Sequence, residues 1–303
     1  MASLLDSHDA SSGASSGDAA APVALICGAG TLPFAVADSL TRRGRPVVLL
    51  ALRDWADTTA VARYRHHWVG PGQLGRIMRF ARDEGCRDLV FIGTLVRPSF
   101  TRLRFDWFTL RALPRVLRAF RGGDDHLLSG IARIFEDHGF RLVGAHEVAP
   151  DILMPTGVLG RGEPAARDRE DITRALALLA AIGPYDVGQA VVIADGHVLA
   201  IEGAEGTDGL LDRVADMRAS GRIRSPMQRG VLVKAPKPTQ DRRFDLPTIG
   251  PATIERVARA GLAGLAVVAG ETIVAEPNRV AQLADERGMF VVGVPAGAAP
   301  GSA

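Results

Sequence analysis

The sequence predicts two α/β domains, an N-terminal one built on a Rossmann-like parallel sheet and a C-terminal mixed α/β one. Three observations carry this. Short, continuous apolar runs alternate with helical patterns from residue 23 to 95, the order expected of a parallel sheet whose two faces are covered by helices. A proline- and glycine-rich stretch over 149–165 then interrupts the pattern. A second series of apolar runs and helices follows to residue 294, in a chain of 303 residues, a length that suits about two domains.

The elements follow in order. The first strand is read at 23-VALICGAG-30 and leads into a helix over 33–44, with Pro33 in its first turn and Gly44 as its stop. A strand over 46–52, a helix over 72–85 and a strand over 88–95 complete β-α-β-α-β. Residues 102–121 form a basic amphipathic stretch, with Arg111, Arg115 and Arg118 at i, i+4 and i+7. A helix over 127–140 and a strand over 141–148 close the domain. The second half opens with a helix over 168–183, then strands over 187–196 and 197–203 joined at Asp195-Gly196, a two-residue hairpin signal. A helix over 207–220, capped by Thr207 or Asp208, leads to the loop stretch 231–250. A helix over 251–261, strands over 263–270 and 272–277, a helix over 278–288 and a strand over 289–294 complete the chain. The layout is therefore a leader over 1–21 and a tail over 296–303, both predicted disordered from their Ser, Ala and Gly content, a domain over 22–150, a linker over 151–165 and a domain over 166–295.

Composition narrows the function. Net charge is +2 with 23% charged residues, so no concentrated basic surface for nucleic acid is expected. The two cysteines, Cys27 and Cys86, stand far apart with no metal spacing, which suits a reduced, cytoplasmic compartment. No apolar run has the length of a membrane span, and the N-terminus lacks the basic start and apolar core of a secretory signal.

Five stretches carry candidate chemistry. In 28-GAGTLP-33, glycines between a strand and a helix let backbone approach a phosphate. Pro33 stands where a dinucleotide fingerprint needs its third glycine, and the second strand ends in Leu52-Arg53 without a carboxylate, so an anion pocket and a merely tight turn both stay open. Gly93 and Arg97, in 93-GTLVRP-98, fall at the C-terminal end of the third strand, where ligands gather in open α/β sheets. Asp124 and Asp125 stand at a loop–helix junction, suited to capping or to a cation. Glu202, Glu205 and Asp208 cluster among glycines, which suits a hard cation or a sugar hydroxyl. The fifth stretch is 231-VLVKAPKPTQDRRFDLPTIG-250. It holds both lysines of the chain, Lys234 and Lys237, where all the other Lys and Arg residues are arginine. A lysine is a compact point charge that fits a confined phosphate site where a planar guanidinium does not. Asp241, Arg243 and Asp245 follow, and an acid there can hold Mg²⁺ or activate water.

Taken together and in order, GAGTLP, GTLVRP, GDDHLL, GAHEV, 186-DVGQA-190, VLAIEGAEGTD and KAPKPTQDRRFDLPTIG resemble the LpxI family, over about residues 22–295. The resemblance implies a UDP-2,3-diacylglucosamine pyrophosphatase of lipid A biosynthesis, requiring Mg²⁺ or a similar divalent cation, with the glycolipid held in a cleft between two α/β domains. It implies a cytoplasmic enzyme with peripheral contact to the inner membrane; a homodimer is compatible with it. Asp245 takes the place of the family's catalytic aspartate, with Lys234 and Lys237 beside it. The substrate-binding set is Gly28, Gly30, Pro33, Gly93, Arg97, Asp124, Asp125, Gln189, Thr207, Gln240, Arg243 and Thr248. The metal set is Asp245, Asp241, Glu202, Glu205 and Asp208. Two other classes stay open from the residues alone: a nucleotide-cofactor oxidoreductase, suggested by the β-α-β start, and a non-catalytic sensor of UDP-sugars or lipids.

Overall fold

The computed structural model describes residues 21–94, 104–120, 124–185, 187–237 and 241–296. The leader through residue 20 and residues 297–303 lie outside it. The N-terminal domain runs β1 (Val23–Cys27), α1 (Leu32–Arg42), β2 (Val47–Leu52), α2 (Thr58–Val61), β3 (His66–Val69), α3 (Leu74–Asp83), β4 (Asp88–Ile92), α4 (Trp107–Phe120), α5 (Asp124–Glu136), β5 (Arg141–Leu142) and α6 (Ala145–Val148). Among the described residues its strands form one parallel sheet in the order β3-β2-β1-β4-β5. The order reverses between β1 and β4, which opens a crevice at their C-terminal ends.

Alternation along the strands divides the core. Leu25, Cys27, Val90 and Ile92 face α1 and α6 on one side. Ala24, Ile26, Leu89 and Phe91 face α3 and α5 on the other. Every residue of β1 is buried, which is why its sequence is apolar throughout rather than alternating.

The C-terminal domain contains β6 (Gly157–Val158), α7 (Ala166–Ile182), β7 (Ala190–Ala194), β8 (His197–Ile201), α8 (Gly206–Ala219), β9 (Val231–Lys234), β10 (Thr248–Ile249), α9 (Pro251–Arg259), β11 (Gly264–Val268), β12 (Ile273–Val274), α10 (Pro277–Glu286) and β13 (Phe290–Val294). Its main sheet is mixed, in the order β6-β13-β11-β9-β7-β8. The short parallel pair β10–β12 stands apart from it and carries Ile273 into the N-terminal core. The β7–β8 hairpin turns at Asp195 (φ 49) and Gly196 (φ 79), the two positive angles a type I′ turn requires. Buried Asp171 on α7 holds this turn by accepting from both its amides, at 2.9 and 2.7 Å.

Three expectations are corrected. The strand expected over 141–148 is β5 followed by α6, whose first turn is secured by Glu147 Oε1 accepting from the Gly144 amide at 2.6 Å. The stretch 151–165 contributes β6, paired antiparallel with β13. Strand β3 and helix α2 fall where no element was expected; β3 is a partly exposed edge strand whose His-His-Trp-Val sequence has no clear period.

Candidate active site

Strand β9 ends on Lys234, beside Ala190 at the start of β7. Lys234 is 5% exposed, and its ammonium donates to the Thr248 carbonyl at 3.1 Å. Glu202, just past β8, is 7% exposed. Its Oε2 accepts from the Gln189 amide at 3.2 Å and its Oε1 from the Thr207 hydroxyl at 3.3 Å. Burial pushes the Glu202 carboxyl up, opposed by Lys234, the Gln189 amide, Thr207 and Lys237. Burial pushes the Lys234 amine down, opposed by Glu202, Asp208 and Asp245. The pair is thus a buried acid and base, each supplying the other's counter-charge. Gly188 makes room for it: a Cβ there would lie within 2.6 Å of Glu202 Cγ.

A cavity of about 400 Å³ opens at Glu202, lined also by Gly188, Gln189, Gly203, Lys237 and Asp245. The side-chain oxygen of Gln189 is buried without a hydrogen-bond partner. A second cavity, of about 420 Å³, lies against the C-terminal edge of the N-terminal sheet. Gly30, Thr31, Gly93 and Thr94 line it on one side, and Arg242 to Leu246 with Thr248 on the other. Asp245 lines both cavities.

The glycine loops that meet the second cavity are interlocked. Ala29 and Thr94 exchange backbone bonds at 2.8 and 2.9 Å, and the Gly28 amide donates to the Ile92 carbonyl at 2.8 Å. A Cβ on Gly28 would lie 2.6 Å from the Thr94 carbonyl oxygen, and one on Gly93 would lie 3.0 Å from Pro33 Cγ. Gly28, Pro33 and Gly93 therefore serve close backbone packing. Gly30 (φ 97) faces open space and leaves the wall of the cavity flat.

Of the residues singled out in the sequence, the structure gathers Gly30, Gly93, Arg243, Asp245 and Thr248 at one cavity and Gln189, Glu202, Lys237 and Asp245 at the other, with Lys234 bonded to Thr248 and Thr207 to Glu202. Asp241 binds the Arg243 guanidinium, whose other side reaches Glu136 at 2.9 Å. Glu205 pairs with Arg213 at 2.6 Å, and Asp208 with Arg256 at 3.3 Å. Among the described residues no three His, Cys, Asp or Glu side chains gather as a metal site. Arg97, Gln240 and the side chains of Asp124 and Asp125 lie outside the described residues. Sequence reasoning passed over Gly188 and Phe244; the signal was their place beside Gln189 and Asp245.

Two family models match the chain: the LpxI N-terminal domain over residues 22–152 and the LpxI C-terminal domain over residues 155–292. The chain is 44% identical over 270 residues to a protein of Caulobacter vibrioides named UDP-2,3-diacylglucosamine pyrophosphatase LpxI, covering 89% of this chain and 96% of that one. A crystal structure of the Thermus thermophilus UDP-glucose 4-epimerase in complex with NAD aligns over 93% of this chain and 88% of its own, at 14% identity and a TM-score of 0.29, a likeness too weak to carry an argument.

Proposed function

The chain belongs to the LpxI family, and from that premise we propose that it hydrolyses the pyrophosphate of UDP-2,3-diacylglucosamine to UMP and 2,3-diacylglucosamine 1-phosphate (lipid X), in lipid A synthesis. Water adds its hydroxyl to one phosphorus. The bridging oxygen leaves with the other phosphate, and one proton is released.

The observation that carries this reading is the position of Asp245 on the wall common to both cavities. A diphosphate lying across it has room on one side for the nucleotide half and on the other for the glycolipid half. Asp245 is then the group that orients the attacking water and takes its proton. Lys237 lines the same cavity, and the buried Lys234 acts electrostatically on Glu202 and Asp245. Their charges offset the negative charge that grows on the phosphate oxygens as the bond breaks. Thr207 and the Gln189 amide hold Glu202 in place behind them.

The donor set fits the divalent cation that the family implies. Glu202, Asp245 and the unpartnered side-chain oxygen of Gln189 are hard oxygen donors around one cavity. Two carboxylates are too few to cage Mg²⁺, which is commonly completed by substrate phosphates and water. When bound, the ion supplies neutralisation of phosphate charge. Asp241, Glu205 and Asp208 already have arginine partners and stand outside this set.

An amphiphilic substrate also favours peripheral contact with the inner membrane. No described helix is long and apolar enough to cross a membrane. Helix α4 exposes Trp107 (73%) and Leu110 (44%), with the Arg111 guanidinium over the Trp107 ring at 6.0 Å, a combination suited to an anionic bilayer surface.

The test is release of UMP and lipid X from UDP-2,3-diacylglucosamine, followed by mass spectrometry with the wild-type chain and Asp245→Asn. Turnover by the wild type and intact substrate with the variant are expected. Tight binding of the substrate by the wild type with no turnover under any divalent cation would leave a sensor of the glycolipid instead.

A further inference from the structure

Asp245 is exposed and sits in a loop, yet the residues on either side of it are anchored in the other domain. Phe244 packs against the cluster that contains Ile26, Leu89 and Phe135. Leu246 is buried in the cluster that contains Leu25, Val90 and Ile92. These two clusters are the opposite faces of the N-terminal sheet. The loop therefore straddles the C-terminal edge of β4, with one apolar side chain on each face and Asp245 between them.

The Phe244 side of this grip is geometrically specific. Its ring meets Phe91 edge-on, with centroids 5.9 Å apart at 61°. Phe91 meets the fully buried Phe135 in the same manner, at 5.9 Å and 64°, and Phe135 meets Phe140 at 6.2 Å. A chain of four rings thus runs from the loop into the N-terminal core, each pair in the edge-to-face geometry that aromatic quadrupoles favour. On the loop side, the Phe244 and Asp245 amides both donate to the Asp241 carbonyl, at 3.0 and 3.2 Å, so a shift of Phe244 is passed on to Asp245 through one peptide unit.

We infer that Phe244, together with Leu246, is a positioning residue: the N-terminal domain sets the place of Asp245 by holding its two neighbours, so that the reactive geometry is complete only when the domains are docked. The inference rests on the role given above to Asp245.

The experiment is steady-state UMP release by the full chain, comparing wild type, Asp245→Asn, Phe244→Ala and Phe244→Leu, with thermal melts of each. A misplacement of the order of 1 Å costs about 10²-fold in rate. Phe244→Ala is therefore expected to lower kcat by about 10- to 100-fold with KM within about twofold. Phe244→Leu, which refills the apolar seat, is expected to recover most of the lost kcat. A Phe244→Ala chain that melts like the wild type and keeps its kcat overturns the inference, as does one whose loss lies wholly in KM. If Phe244→Ala does not melt cooperatively, the milder truncation Phe244→Val, which leaves most of the ring's seat unfilled, decides: kcat reduced at near-constant KM supports the clamp, and wild-type kcat overturns it. Failure of the underlying reading looks different, because Asp245→Asn would then match the wild type.

Discussion

Lys234 is one of the two positions at which a chain that otherwise uses arginine keeps a lysine, and the buried one. Its ammonium is buried at the end of β9, donates to the Thr248 carbonyl, and has Glu202 as its strongest compensating charge. An arginine there must place a planar fork with five donors where a single compact charge now sits. Lys234→Arg is expected to lose on the order of 10²-fold in kcat/KM, the scale of removing one stabilising donor from a reaction site. Lys237 is only half-buried on the cavity wall, so Lys237→Arg is expected to lose less than about tenfold, since its charge is kept and its side chain has space to adjust. UMP-release kinetics of the two variants make the comparison. Wild-type kcat/KM for Lys234→Arg would show that the confinement of this site does not matter to its chemistry.

At the scale of elements, Asp88 ties the far end of the N-terminal sheet. It begins β4 and accepts from Arg141 at the start of β5, at 2.8 and 2.9 Å, and from Arg45 ahead of β2. The Arg141 bond, with Arg45 and against the cost of burial, holds its carboxyl below the usual carboxylate range. A depressed folded-state pKa means the unfolded chain takes up the proton first as pH falls. The stabilisation is therefore present above the ordinary carboxylate value and is lost as pH drops through the depressed one. Asp88→Asn is expected to cost about 2 kcal/mol at neutral pH. Melts across a pH series should show the gap to the wild type closing below the ordinary carboxylate range, with kcat at neutral pH unchanged, because this edge is the far end of the strands from Asp245. A gap that stays constant with pH would mean that the loss is one of packing. The same sheet marks what could be read from the sequence. Its buried strands β1, β2 and β4 announce themselves as apolar runs, and Asp195-Gly196 in the other domain announces its hairpin by turn chemistry. Strand β3 does not, because an edge strand with one pairing partner needs no such run. In the candidate site, Lys234 and Lys237 stood out by residue type, whereas Asp245 was set apart from Asp241 only by the resemblance to the LpxI family. That Asp241, Glu205 and Asp208 each take an arginine partner was not legible, because it depends on which arginines the fold brings up: Arg243 within the loop, Arg213 on α8 and Arg256 on α9.

For the molecule as a whole, two kinds of contact cross the seam beside Asp245. One is apolar, made by Phe244, Leu246 and Ile273 in the N-terminal clusters. The other is ionic, between Arg243 and Glu136 at the end of α5, whose side chains are 35% and 40% exposed. Under the proposed function, a diacyl substrate enters between the domains by opening of this seam, and the contact that dominates the seam then governs access. An ion pair this exposed is worth about 0–1 kcal/mol, and Arg243 keeps its Asp241 partner when Glu136 is removed. The apolar contacts lose water-excluded area on opening, at roughly 25 cal/mol for each Å², and so resist separation more strongly. Glu136→Gln is accordingly expected to keep kcat and KM within about threefold of wild type, the equivalent of less than about 1 kcal/mol, and to remain insensitive to added salt. Phe244→Ala is expected to lose kcat over the same salt range. The reverse pattern, a large loss in Glu136→Gln that high salt reproduces in the wild type, would identify the Arg243–Glu136 pair as the latch and reduce the apolar grip on β4 to packing.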